Sequence, residues 1–217
     1  MKLAALVLAT ASLALPAHGE PASVFQVDYS NPDLAPSHWV LTIHPDGTGH
    51  FQSRSDRAPT LETPQINPPN VDRDIRLSEE FVEHVFQTAQ NRKLFKPNCE
   101  SHLKVAFQGW KRLTYSGPEG KVVCEFNYAR DKEIQSLGDS LVSVATTIIE
   151  GAKLETLLQH DRLGLDKETE YLLEATNDGR AQQIYAIQEI LQRLADDEGV
   201  MERVRKRVRV LMATIEK

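Results

Sequence analysis

The sequence lacks the short motifs that usually identify an enzyme. Its 217 residues contain no H-E-x-x-H, no G-x-S-x-G, no P-loop and no G-x-G-x-x-G pattern. The run Gly138-Asp139-Ser140 lies within a helical pattern, where the strained turn of a nucleophile elbow is not expected. The missing motifs lower the expectation of an enzyme, and no cofactor is expected.

An excess of basic residues is also missing. Lys and Arg number 25 against 31 Asp and Glu, giving a net charge of -6, whereas a dedicated nucleic-acid binder is usually basic. The composition, 41% hydrophobic and 26% charged, is ordinary for a globular protein. It excludes collagen, low-complexity disorder and a polytopic membrane protein.

The first 19 residues have the three parts of a secretory signal peptide. Lys2 is followed by an uncharged run of 13 residues, Leu3–Leu15, and then by Pro16 and the small residues of a cleavage site at Ala17-His18-Gly19. As a helix this run rises only about 20 Å, which is too short for a membrane span of ~30 Å. We therefore expect a periplasmic or secreted chain that begins near Glu20.

Only two cysteines are present, Cys99 and Cys124. In an oxidising compartment they are expected to form a structural disulfide. Free thiols are the first alternative. A redox or metal pair is the second, although the sequence has no C-x-x-C.

Proline is absent after Pro118, and nine of the eleven prolines lie at or before Pro69. This distribution predicts a sheet-rich part over 20–130 and a helical part over 131–217. The fold class is therefore α+β, with a small antiparallel sheet, one packed helix and a C-terminal bundle of three or four helices. The two parts are expected to form one continuous unit.

Alternating apolar residues predict the strands, and turn residues separate them. The clearest hairpin joins 38–43 to 50–54 through His44-Pro45-Asp46-Gly47-Thr48-Gly49. Further strands are expected at 25–29, 75–77, 103–107, 113–115 and 122–128, and a proline-rich loop at 55–70. A helix capped by Ser78 is expected to end near Leu94-Phe95.

From Asp131 onward, apolar residues recur at helical spacing. Gly151 is a candidate kink, 161–164 a break, Asp166 the cap of the next helix and Asn177-Asp178-Gly179 its end. Two more apolar stripes follow, over 184–194 and 200–215.

Two stretches carry a family resemblance, Lys104-Val-Ala-Phe-Gln-Gly-Trp-Lys-Arg-Leu-Thr-Tyr-Ser-Gly-Pro and Phe126-Asn-Tyr. Together with Thr42-Ile-His-Pro-Asp-Gly and Leu163-Gly-Leu-Asp, they resemble a group of exported proteins of acidobacterial type. That group has no assigned function, so the resemblance implies export and a shared fold and adds nothing about catalysis.

Three features are candidate sites. The hairpin residues His44, Asp46 and His50 could hold a divalent metal, although an exposed turn shaped for its backbone geometry explains them as well. Trp110 lies beside Lys111 and Arg112 and could stack on a sugar ring or a partner, or be covered by packing. The last helix carries a basic cluster that could bind an anionic partner or a membrane surface: Arg203, Arg205, Lys206, Arg207 and Arg209.

These features lead to one main hypothesis, a non-enzymatic binding or interaction module of the cell envelope whose partner is an unknown protein or small ligand. A metal-assisted hydrolase using His44, Asp46 and His50 is the first alternative. Peripheral membrane attachment through the last helix is the second, although a packed terminal helix with a solvated basic face explains the same residues.

Overall fold

The computed structural model describes residues 23–54, 69–91, 99–118 and 120–215. An antiparallel sheet of six strands is followed by a set of helices, so the expected α+β fold is confirmed. The strands are β1 (Val24–Ser30), β2 (His38–Ile43), β3 (Thr48–Arg54), β4 (Val71–Arg76), β5 (Trp110–Gly117) and β6 (Gly120–Phe126). The α-helices are α1 (Glu79–Asn91), α2 (Lys132–His160), α3 (Leu165–Asn177), α4 (Gln188–Asp196) and α5 (Glu202–Met212).

The sheet has the strand order β4-β3-β2-β1-β5-β6. Buried and exposed residues alternate along the strands, so the sheet has one buried face and one polar face. The buried face carries residues such as Phe25, Leu41, Phe51 and Leu113. The predicted hairpin is confirmed as β2–β3, and its turn closes where the His44 amide donates to the Thr48 carbonyl at 2.8 Å. Gly47 has φ +82°, a conformation that favours glycine.

Helices α1 and α2 pack on the buried face of the sheet. Ser78 begins α1 as expected, because its Oγ accepts a hydrogen bond from the Phe81 amide at 3.3 Å. Asp131 caps α2 by accepting from the Glu133 amide at 2.8 Å. The predicted signal peptide, most of the proline-rich loop and the expected helix end near Leu94-Phe95 lie outside the described residues.

Helix α2 runs without interruption through the position of the candidate kink, Gly151. A Cβ at this position would lie 2.4 Å from Ile187 Cγ2, so glycine is needed for the close approach of a short 3-10 helix, Ile184–Ile187. Asp166 was expected to cap α3, but it lies inside the first turn, and Gly164 occupies the cap position without a side-chain bond.

The predicted strand over 103–107 is wrong. Residues 101–109 contain no strand, and Leu103, Val105 and Phe107 are 62%, 40% and 44% exposed. The backbone turns sharply here, with Val105 N donating to Leu103 O at 2.9 Å. Apolar and polar residues alternate here as they do in a strand, but no neighbouring strand is present to form the hydrogen bonds of a sheet.

Two apolar clusters fill the interior, and α2 contributes to both. The sheet core joins the buried sheet face to α1 and to the first part of α2, including Leu141 and Ile148. The helical core joins the end of α2, from Leu154, to α3, α4 and α5. No helix among the described residues is long and apolar enough to cross a membrane.

The expected disulfide is confirmed. Cys99 and Cys124 are bonded, with 5.7 Å between their Cα atoms, and both side chains are buried in the sheet core. The bond joins the segment before β5 to β6. This attaches the start of the irregular 101–109 segment to the end of the sheet.

Candidate functional site

The structure does not assemble the expected metal site on the β2–β3 hairpin. Asp46 Oδ1 accepts hydrogen bonds from its own turn, from Thr48 N at 3.0 Å and Thr48 Oγ1 at 2.6 Å. These bonds, with the side-chain bond from Thr48 the largest contribution, lower the pKa of Asp46. Asp46 therefore stabilises the turn and does not converge with His44 and His50.

His50, on β3, contacts the neighbouring strand β4. Its Nδ1 lies 2.9 Å from Asp74 Oδ1 and its Nε2 lies 3.0 Å from Asp72 Oδ1. The hydrogen bond with Asp74 is the largest cause of the raised pKa of His50. No group of three or more His, Cys, Asp or Glu side chains that could hold a metal ion occurs among the described residues.

The basic cluster on α5 is mostly paired within the chain. Arg203 Nε and Arg207 Nη1 bind the same Asp166 oxygen at 2.7 and 2.6 Å. These contacts, with the hydrogen bond from Arg207 the largest, lower the pKa of Asp166. The structure thus gives Asp166, expected as a helix cap, the role of joining α3 to α5.

The remaining arginines of α5 contact an acidic residue of their own helix. Arg205 Nη2 lies 2.6 Å from Glu202 Oε2, and Arg209 Nη1 lies 3.3 Å from Glu202 Oε1. Lys206 is exposed, and it has no ion pair within the described residues. The basic cluster therefore offers an external anion far less free charge than the sequence indicated.

The apolar face of α5 is also occupied. Val204, Val208 and Leu211 are buried in the helical core. A membrane could reach this face only if α5 left the core and exposed it, at a cost set by the buried apolar area. The structure therefore gives no support to membrane attachment through this helix.

Trp110 is the sequence candidate that the structure leaves accessible. It begins β5, opposite Ser30 of β1, and its side chain is 50% exposed on the polar face of the sheet. Phe107 lies against it with ring centroids 6.3 Å apart and an interplanar angle of 64°. This edge-to-face contact supports the indole from one side and leaves it open to solvent elsewhere.

A shallow cavity of about 380 Å³ lies beside the indole on the same face. We call it the Trp110 cleft, and its lining includes Asp28, Ser30, Trp110, Arg112 and Glu125. Lys111 also lines it, although the Lys111 side chain is buried on the opposite face of the sheet.

The polar side chains of the cleft come from three neighbouring strands. Asp28 of β1 is opposite Arg112 of β5, which in turn is opposite Glu125 of β6. Arg112 forms an ion pair with Glu125, and Asp28 Oδ1 lies 3.0 Å from His38 Nε2. Asp28, Ser30 and Glu125 could not be selected from the sequence. The alternation of apolar and polar residues shows that they face away from the core, but it does not show which strands are neighbours.

A larger cavity, of about 670 Å³, lies between the start of α2, the loop after α3 and the segments 101–103 and 128–130, and Leu103 is part of its lining. Several of its polar groups already have partners in the chain. Gln135 Nε2 donates to both Asp139 oxygens at 2.9 Å, and Ser143 Oγ donates to the Gly179 carbonyl at 3.0 Å. The charged groups of the Trp110 cleft are paired in the same way, so the half-exposed indole of Trp110 is the feature that favours the cleft as a binding site.

Two buried charged groups lie away from the cleft. Lys111 Nζ is buried 3.4 Å from the Asn127 carbonyl and 3.8 Å from Asp139, and burial lowers its pKa. Glu150 is paired with Lys153 at 2.6 Å, yet burial raises the pKa of Glu150 to about 6. Lys111 joins β5 to α2 and to the segment after β6, Glu150 is paired within α2, and neither lines the cleft with its charged atoms.

No protein-family model matches the sequence, and no curated protein is significantly similar to it. The resemblance to exported proteins of acidobacterial type therefore stays a prediction. The assignment of a function depends on the geometry of the molecule itself.

Proposed function

We propose that the protein is an exported, non-enzymatic binding module of the cell envelope and that the Trp110 cleft is its ligand-contacting surface. The exposure of Trp110 carries this proposal. Other large aromatic residues of the sheet, such as Phe25, Trp39 and Phe51, are buried. An indole that is half-exposed beside a polar cleft has the amphipathic character of a recognition residue.

The segment before Trp110 supports a pre-organised surface. We call Leu103, Val105 and Phe107, all exposed, the apolar ridge. The end of this segment is held at two points, because Gln108 N donates to Asn127 Oδ1 at 2.6 Å and Tyr29 Oη donates to Gln108 O at 2.9 Å. A surface that is already ordered loses less conformational entropy when a ligand binds.

The proposed location is supported by the disulfide. Structural disulfides persist mainly in oxidising compartments, and the Cys99–Cys124 bond is buried within the sheet core. The signal peptide expected at residues 1–19 would deliver the chain to such a compartment.

The proposal can be tested on a purified chain of residues 20–217 with four classes of probe: neutral oligosaccharides, acidic oligosaccharides, apolar peptides and anionic lipid vesicles. We expect at least one class to change the tryptophan emission saturably without being chemically altered. Trp39 is 3% exposed, so the response is expected to come from Trp110 and to disappear in Trp110→Ala.

The matched control is Tyr185→Ala, which removes another exposed aromatic side chain from the helical part. It should bind like the unchanged chain. Equal binding by Trp110→Ala, or a response to none of the four classes, would contradict the proposal. Catalytic turnover of a probe would show that the protein is an enzyme.

A further inference from the structure

We infer that the Trp110 cleft binds a neutral sugar ring of a glycan, an inference that rests on the proposed binding function. The ring would lie against the exposed indole of Trp110, and its hydroxyl groups would exchange hydrogen bonds with Asp28, Arg112 and Glu125. The dimensions of the cleft, the support of the indole and the charge balance of the lining lead separately to this ligand class.

The dimensions of the cleft follow from strand pairing. Asp28, Arg112 and Glu125 form one row across three strands, a width of about 10 Å. Ser30, two residues after Asp28, and Trp110, two residues before Arg112, are in the next row on the same face, about 7 Å away. The indole and the charged row therefore border a space of about 380 Å³, near the lower end of the range for small-ligand sites.

The indole provides a flat apolar surface at one side of this space. A sugar ring has an apolar surface formed by its C–H groups and a polar perimeter formed by its hydroxyl groups. The C–H groups can pack on the face of an aromatic ring while the hydroxyl groups reach polar side chains. Phe107 restricts the indole from one side, so less rotational freedom is lost on binding.

Charge complementarity favours a neutral ligand. The row contains two carboxylates and one guanidinium, with His38 beside Asp28, and these groups are already paired as Asp28–His38 and Arg112–Glu125. A phosphate or another anion would meet both carboxylates, whereas a cation would meet Arg112. A hydroxyl group both donates and accepts hydrogen bonds, so it can bind either member of such a pair.

An apolar peptide is the competing occupant, because Phe107 of the apolar ridge lies against Trp110. It would cover Leu103, Val105 and Phe107, but it would leave the charged row beside the indole without matching groups. A peptide that binds through the ridge alone would not depend on Asp28. The dependence of binding on Asp28 therefore distinguishes the two ligand classes.

The inference can be tested by titration calorimetry of residues 20–217 with maltotriose, cellotriose and triacetylchitotriose. At least one of these neutral trisaccharides should bind, and Trp110→Ala should weaken its binding at least about tenfold. Trp110→Phe keeps an aromatic face and should retain most of the affinity. Asp28→Asn should weaken binding, whereas Gln52→Ala, on the same sheet face but on β3, should leave it unchanged.

Circular dichroism and thermal unfolding of each variant check that the fold is retained. Binding of an apolar peptide or trigalacturonate through Trp110, with no response to neutral trisaccharides, would overturn the sugar assignment and leave the binding module standing. The same affinity in the unchanged chain and in Trp110→Ala would place the sugar elsewhere and overturn the inference. A response to no probe of any class would overturn both proposals.

Discussion

The sheet core and the helical core are completed in different ways. The helical core directs the apolar faces of α3, α4 and α5 inward, and ion pairs such as Asp166–Arg203 and Asp166–Arg207 join its helices on the outside. The sheet core uses only one face of its strands, and its other face carries polar residues such as Asp28 and Arg112. The sheet therefore has side chains available for recognition, whereas the helices mainly use theirs for packing.

Exposed apolar residues show the same difference. Beside the sheet, Leu103, Val105, Phe107 and Trp110 occur within one short segment. In the helical part, exposed residues such as Leu163, Tyr185 and Val210 come from separate segments. Isolated exposed apolar residues are normal, but a local concentration marks an interaction surface, which here lies at residues 103–110.

The largest effects are expected from truncating one buried side chain in each core. Leu113→Ala in the sheet core and Leu191→Ala in the helical core should each lower the free energy of unfolding by about 2–5 kcal/mol, because both side chains are fully buried. Helix α2 contributes to both cores, so each variant should unfold in one cooperative transition. Urea denaturation followed by tryptophan fluorescence, which reports on the sheet, and by far-ultraviolet circular dichroism measures this, and two separated transitions would contradict the shared helix.

The next largest effect is expected from removing the disulfide, which lies only in the sheet core. Replacing both Cys99 and Cys124 by Ser removes a crosslink between residues 25 positions apart, which should cost about 3 kcal/mol. Hydrogen exchange should increase most around residues 100–110 and least in α4 and α5. Equal increases throughout the chain would show that the crosslink stabilises both cores alike.

Glu150 should give a smaller, pH-dependent effect. The pKa of Glu150 is raised from 4.5 to about 6 in the fold, so the folded state binds its proton more tightly than the unfolded state. Its stabilising contribution is complete below pH 4.5 and is lost as the pH rises through 6, a change of about 2 kcal/mol.

The measurement is the free energy of unfolding of the unchanged chain and of Glu150→Gln between pH 4 and pH 7. The stability of the unchanged chain relative to the variant should fall over this interval. A constant difference between the two would contradict the raised pKa. The control is Glu155→Gln, which removes another carboxylate from α2, the helix of Glu150. Glu155 is the ion-pair partner of Arg73.

The smallest effect is expected at Lys111, the buried charge of the sheet core. Lys111→Met keeps most of the side-chain length and removes a charge whose pKa is lowered by burial. Its partner Asp139 is 56% exposed, so water can solvate the carboxylate after the change. We expect stability to be unchanged or slightly raised, as measured by thermal unfolding, and a large loss would show that the Lys111 contacts outweigh the burial of its charge.

Much of the secondary structure could be predicted because local patterns are strong here. Alternation in residues 38–43 identified β2, and Asp131 marked the start of α2. Residues 103–107 show the limit of such reasoning, because their alternation is as regular but no strand lies beside them. A strand requires hydrogen bonds to a neighbour, and a pattern within one segment does not supply that neighbour.

The candidate sites were harder to predict than the fold. His44, Asp46 and His50 are close in sequence, yet His50 contacts Asp72 and Asp74 on the neighbouring strand. The basic residues of α5 are also close in sequence, but Asp166 of α3 neutralises part of their charge. In both cases the decisive partner lies in another element, where one-dimensional spacing gives no indication of it.

Apart from residues 103–107, the sequence by itself determined the order of strands and helices, the apolar face of most of them and the only cysteine pair available for a disulfide. These properties follow from local periodicity, turn chemistry and the count of cysteines. Only the tertiary structure decided which charged side chains meet and which aromatic residue stays exposed. Strand register brings Asp28, Arg112 and Glu125 together beside Trp110. Burial depends on how whole elements pack, which no single segment encodes.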